Sequence, residues 1–113
     1  MNKIKLERIG SQITKELSEI IFEEAKSEIL KCITITATEV SNDLGLAKVY
    51  YTYLGEYDRK YMQDELDNAS KYLRTELAER IDIRHTPELR FVYDESIEYG
   101  ANIEKIIAEI HNK

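Results

Sequence analysis

The spacing of apolar residues switches between two periods along this chain, and the order of the switches constrains the fold more than any single residue. Ile9, Ile13, Leu17, Ile20 and Ile21 recur three and four apart, which marks one face of a helix over roughly Asn2 to Ala25, with Asn2 as its N-cap. Ile33-Thr34-Ile35-Thr36-Ala37-Thr38 alternates instead, as a half-buried strand does. Ser41-Asn42-Asp43-Leu44-Gly45 has turn chemistry, and Ala47, Val49, Tyr51 and Tyr53 then alternate with Lys48, Tyr50 and Thr52. The two runs predict a hairpin with a wet face made of Thr34, Thr36, Lys48, Tyr50 and Thr52.

The helical period returns after Asp58, a good cap, with Met62, Leu66, Ala69, Leu73 and Leu77 as the buried stripe of a helix to about Arg80. Asn68 and Ser70 compete for backbone groups, so Asn68-Ala69-Ser70-Lys71 predicts a bend or brief interruption. Pro87 opens a third strand, with Leu89, Phe91 and Tyr93 inward and Arg90 and Val92 outward. Ile103, Ile106, Ile107 and Ile110 stripe a last helix that starts between Ser96 and Gly100. The order α-β-β-α-(kink)-α-β-α predicts an α+β sandwich, helices on one face of a three-stranded sheet. The third strand follows a helical crossover and can therefore run parallel to a hairpin strand.

With 113 residues, a single domain over 1–113 is expected. No apolar run of about 18 residues and no signal-like h-region is visible, so neither a membrane span nor secretion is expected. A lone cysteine, Cys32, has no partner for an internal disulfide, which suits a cytoplasmic setting.

Net charge is −6, which taken whole disfavours indiscriminate binding to phosphate backbones. Its distribution is uneven. Lys3, Lys5, Arg8 and Lys15 face only Glu7 within residues 1–15, whereas residues 16–28 hold five acids and one lysine. On the polar face of the first helix, Lys5, Arg8, Gln12 and Lys15 precede Glu16, Glu19 and Glu23, an order that opposes the helix dipole at a cost of a few tenths of a kcal/mol per charge, roughly. A functional surface and an ordinary solvated face both account for this order.

Around the only proline, Pro87, the chain groups Arg74, Arg80, Arg84 and Arg90. Lys71 and Arg74 lie three apart and share a helical face with Ser70, a candidate phosphate- or sugar-contacting patch. Lys3, Lys5 and Arg8 form a second candidate patch, and the two could flank one groove if both helices pack on the same sheet face. Arg84 is a contact candidate or a brace for the helix-to-strand connection, while Asp82 and Glu88 are near enough to pair with the arginines. Tyr50 and Tyr72 are either base-stacking platforms or boundary residues with wet hydroxyls.

Chemistry of bond-making is poorly supported. His85 and His111 are far apart, Cys32 has no evident activating partner, and no zinc spacing, phosphate loop or dinucleotide fingerprint is present. Asp94-Glu95 reads as helix-start charge. No catalytic residue, metal or cofactor is expected.

Over nearly its whole length the chain resembles ribosome-binding factor A, a small bacterial factor with a type II KH-like fold. The resemblance rests on an ordered set of segments. In the first helix it is carried by Arg8-Ile9, Ile13 and Glu16-Leu17, and in the hairpin by Ile33-Thr34-Ile35-Thr36, Glu39-Val40-Ser41-Asn42-Asp43-Leu44 and Ala47-Lys48-Val49-Tyr50. Ala69 to Arg74, Ile83-Arg84-His85-Thr86-Pro87-Glu88-Leu89-Arg90-Phe91 and Asp94-Glu95-Ser96-Ile97-Glu98-Tyr99-Gly100 complete it. The family replaces the GxxG loop of ordinary KH domains with an Ala-x-Gly kink. Here Ala69-Ser70-Lys71 holds that position, with lysine for glycine, and a long basic tail is not seen. The resemblance implies a non-catalytic, monomeric assembly factor that binds the free 30S subunit and its 16S rRNA in late maturation and pre-rRNA end processing. Ribosomal proteins and assembly GTPases would be further partners, with the acidic remainder facing basic ribosomal proteins. The implied RNA-contact set is Lys3, Lys5, Arg8, Ala69, Ser70, Lys71, Arg74 and Arg84. The missing GxxG and the acidic balance leave a second reading, a KH-like protein-interaction module without RNA binding.

Overall fold

A computed structural model describes residues 3–23, 28–83 and 85–96. Helix α1 spans Lys3–Glu23, strands β1 and β2 span Ile33–Val40 and Leu46–Tyr53, helix α2 spans Arg59–Arg80, and strand β3 spans Glu88–Tyr93. A short 3₁₀ turn, Leu30–Cys32, leads into β1. The sheet order is β1-β2-β3, with β2 antiparallel to β1 and parallel to β3. This is the expected α+β layering: α1 packs on β1, α2 on β3, and the helices on each other. The last helix expected from the isoleucine stripe lies outside the described residues, as does Arg84.

Each element buries the stripe that its period defines. Ile13, Leu17 and Ile20 of α1, Ala47, Val49 and Tyr51 of β2, and Met62, Leu66, Leu73 and Leu77 of α2 are fully enclosed. Tyr51 is the one large polar-tipped side chain among them. Its hydroxyl donates to Gln63 Oε1 at 2.6 Å, and Gln63 Nε2 donates to the Phe91 carbonyl at 2.7 Å, so one bridge joins the hairpin, α2 and β3. Burial pushes the Tyr51 phenol up to about 12.

Two features depart from the simple patterns. β1 carries a bulge: Ile35 pairs with Tyr51 but Ala37 with Tyr50, so two residues of β1 stand against one step of β2. Beyond it the alternation inverts, and Thr38 and Val40 turn half-buried while Ala37 and Glu39 become exposed. The inversion places Thr38 under Gly10 of α1. A side chain at Gly10 would collide with the Thr38 carbonyl, so glycine permits a helix-to-strand contact closer than any other residue allows. Thr14 seals the same contact, its hydroxyl 2.8 Å from that of Thr38.

The second departure concerns α2, which runs through Asn68–Lys71 without interruption. Ser70 donates back to the Asp67 carbonyl at 2.8 Å and Thr75 to the Lys71 carbonyl at 2.9 Å, so the weak helix formers satisfy their hydroxyls on the helix itself. Leu66 and Leu73 anchor both sides of the segment in the core, and that burial overrides local propensity. At the start of α2, Asp58 accepts from the Tyr61 N–H at 3.4 Å, as its cap role requires.

The hairpin turn is closed by Asp43 Oδ1, which accepts from the Ser41 hydroxyl at 2.8 Å and the Gly45 N–H at 2.9 Å. The Gly45 and Ser41 bonds hold the Asp43 carboxyl below its usual range. Leu44 takes a left-handed φ of 60° to bury its side chain. That conformation costs about 1–3 kcal/mol and full burial of a leucine returns a similar amount, roughly.

Candidate nucleic-acid interface

Strand β3 begins beside the hairpin turn, where the Glu88 N–H donates to the Gly45 carbonyl at 3.0 Å. The middle of α2 passes over this junction. Between them lies an open groove of about 410 Å³ lined by Gly45, Ser70, Lys71, Arg74, His85, Glu88 and Leu89. Three of the expected contact residues therefore meet on one wall. The ammonium of Lys71 makes no ion pair or hydrogen bond among the described residues and is free to engage a ligand. Arg74 has a structural task as well, since its Nη2 donates to the Thr86 carbonyl at 2.8 Å. It braces the helix-to-strand connection.

Ala69 is half-buried in α2 and does not line the groove. His85, considered in the sequence only for catalysis, joins the opposite wall. The signal that could have found it is its position two residues before Pro87, which sets the connection facing α2. Glu88 adds a carboxylate beside the polar side chains of Ser70, Lys71, Arg74 and His85, so the groove could take a ligand with hydroxyls beside its phosphates.

Lys3, Lys5 and Arg8 are exposed on the first turns of α1. Lys3 lines a separate groove of about 300 Å³ with Leu6, Glu7, Thr38, Glu39 and Val40. The two grooves share no lining residue, so the cation sets do not flank a single cleft. Both abut the hairpin, one at the end of β1 and the other at Gly45.

The acidic half of α1 has an internal partner. Arg80, at the end of α2, lies 3.7 Å from Glu16, 3.6 Å from Glu19 and 4.0 Å from Glu23. Part of the acidic character of this stripe is thus shared with the chain's own arginine. Asp94 and Glu95 are also separately engaged. Asp94 accepts from the Thr36 hydroxyl at 2.6 Å and from Ser96, which hold its carboxyl below the usual range, and Glu95 pairs with Arg59 at 3.5 Å.

A sequence model of the family described as ribosome-binding factor A matches residues 5–107. The chain belongs to the ribosome-binding factor A family. Ribosome-binding factor A of Staphylococcus carnosus is 46% identical over 116 residues, which cover 100% of this chain and 99% of the relative. Among solved structures, ribosome-binding factor A from Thermus thermophilus superposes with a TM-score of 0.69 at 26% identity, covering 82% of this chain and 97% of that one. A Thermus thermophilus ribosome-binding factor A homology model, fitted into a cryo-EM map of its complex with 30S, gives a TM-score of 0.66 at 24% identity, covering 80% and 96%. The chain therefore shares the fold of these ribosome-binding factor A structures.

Proposed function

We propose that this chain is a non-catalytic assembly factor, one KH-like module over residues 1–113, that binds the free 30S subunit through 16S rRNA during late maturation and processing of precursor rRNA ends. The observation that carries the reading is the groove beside Gly45, where Lys71, Arg74 and His85 offer donors, and the Ser70 hydroxyl an acceptor, to a phosphate-and-sugar ligand. A relative that was fitted as part of a 30S complex supports the choice of particle.

Lys71 supplies a free cation at the position where the family carries glycine, and Lys3, Lys5 and Arg8 supply a second cationic surface. Arg84 is assigned to the same contact set. Phosphate contacts position a protein without reading sequence, so specificity comes from the shape of the rRNA. The factor acts by binding one rRNA arrangement better than its competitors, which shifts the population toward it. It works as a cytoplasmic monomer and needs no cofactor. No helix among the described residues is long and apolar enough to cross a membrane.

Co-sedimentation with free 30S subunits and with 70S ribosomes, at two salt concentrations, tests the reading. Binding to 30S should exceed binding to 70S and fall with salt at a log–log slope of about −3 for four phosphate contacts. Binding with a shallow salt dependence would point to the protein-interaction module, and no binding by folded protein would end the proposal.

A further inference from the structure

The outer face of the sheet, opposite both helices, holds an arrangement that the grooves do not use. Register places Lys48 between Glu39 and Arg90, and Tyr50 between Ala37 and Val92. Lys48 and Arg90 are both exposed, and neither makes an ion pair or hydrogen bond among the described residues. Glu39 stands across from Lys48, yet its carboxylate accepts from the Tyr50 hydroxyl at 3.3 Å. Two like charges thus sit side by side on adjacent strands, about 5 Å apart at the backbone, an arrangement that weakens a sheet. In a chain with net charge −6, that pairing is not produced by an excess of base.

We propose that this open sheet face is a second RNA-binding surface, on which Lys48 and Arg90 hold the phosphates of a single-stranded segment and Tyr50 stacks on one of its bases. The cations lie one alternation step from the ring on the same face, the combination by which sheet platforms hold unpaired strands. A hollow of about 170 Å³ lies beside Lys48, lined by Glu39, Val40, Ser41 and Leu46. A base inside a duplex has no free face for Tyr50, so the surface selects unpaired RNA. The inference rests on the reading of the chain as an RNA-binding factor, and it lets one molecule hold two RNA segments, one on each side of the sheet.

The test is titration of a fluorescent oligouridine of about ten nucleotides into the full chain. Wild-type protein should bind, and the Lys48→Ala, Arg90→Ala double variant should bind about tenfold or more weakly, with a salt slope shallower by about 1.4. Tyr50→Phe should keep the affinity and Tyr50→Leu lose about tenfold, since stacking needs the ring and not the hydroxyl. Unchanged binding in the double variant, or no binding by wild type, overturns the proposal. Displacement by polyglutamate as efficient as by unlabelled oligouridine overturns it too, in favour of an acidic protein. Parallel 30S co-sedimentation separates the two readings: loss of oligouridine binding alone concerns the sheet, and failure to bind 30S alone concerns the assembly role.

Discussion

The Thr38 carbonyl occupies the space where any residue but glycine at position 10 would place its Cβ. Helix α1 and strand β1 therefore meet backbone to backbone, and the α1 face that carries Lys3, Lys5 and Arg8 is fixed relative to the hairpin.

Gly10→Ala should destabilise the protein. Overpacking against a carbonyl costs about 1–3 kcal/mol, which outweighs the gain of up to about 1 kcal/mol from helix propensity. Urea unfolding should show a lower midpoint with an unchanged slope. A raised midpoint would mean that α1 lifts off β1 at little cost.

Lys71 and Arg74 should separate into two kinds of residue. Lys71→Glu is expected to leave the melting temperature unchanged, weaken 30S binding and make its salt slope shallower by about one or more. Arg74→Ala is expected to lose about 1 kcal/mol of stability, because the Thr86 carbonyl loses its donor. Circular-dichroism melts alongside co-sedimentation check both; equal effects of the two substitutions would contradict the division.

Arg80→Ala leaves Glu16, Glu19 and Glu23 facing one another without their cation. A partly buried network of this kind should contribute about 1 kcal/mol at low salt, and the deficit should shrink as salt screens the carboxylates. Urea melts at two ionic strengths measure it, and a deficit that grows with salt would refute the network.

Tyr51 gives an alkaline limit. Its folded pKa, about 12, lies above the ordinary value of 10.0, so its contribution is complete below pH 10 and is lost as pH rises toward 12. Tyr51→Phe should cost about 1 kcal/mol at neutral pH, from the lost bond to Gln63. The gap between the two proteins should narrow above pH 10, and a constant gap to pH 12 would show that the phenol titrates normally.

Asp43 gives the opposite limit. Its carboxyl sits below 3.8 in the folded chain, so the stability it contributes is present above 3.8 and is lost as pH falls through the lower folded value. Asp43→Asn should remove part of the acid sensitivity, read as a smaller drop in melting temperature between neutral and acid pH.

Much of this architecture is legible in apolar spacing, because burial of one face is what both periods encode. Val49 and Tyr51, or Leu73 and Leu77, are placed correctly by counting alone. The bulge is not legible: Thr36 and Ala37 carry no local mark that two residues share one step, and only the pairing with β2 reveals it. The uninterrupted α2 escapes for a related reason, since Asn68 and Ser70 report local preference while Leu66 and Leu73 report the core. For the site, helical spacing joins Lys71 to Arg74, whereas His85, Glu88 and Gly45 converge only through the crossover. The ion pairs of Arg80 likewise span the two helices, so Glu16 and Glu19 resemble a free surface until α2 is laid beside α1.

The internal capture of those glutamates changes how the molecule would approach a polyanion. Arg80 offsets one of their three charges at its end of α1, while Lys3, Lys5 and Arg8 stand at the other end of a helix about 30 Å long. At low ionic strength, where the Debye length reaches about 30 Å, the net charge of −6 repels the chain from RNA at long range. Nearer than that, the asymmetry exerts a torque that turns the cationic end of α1 and the hairpin forward. Encounters are thereby few but pre-oriented, and the association rate should respond to salt through orientation before any contact forms.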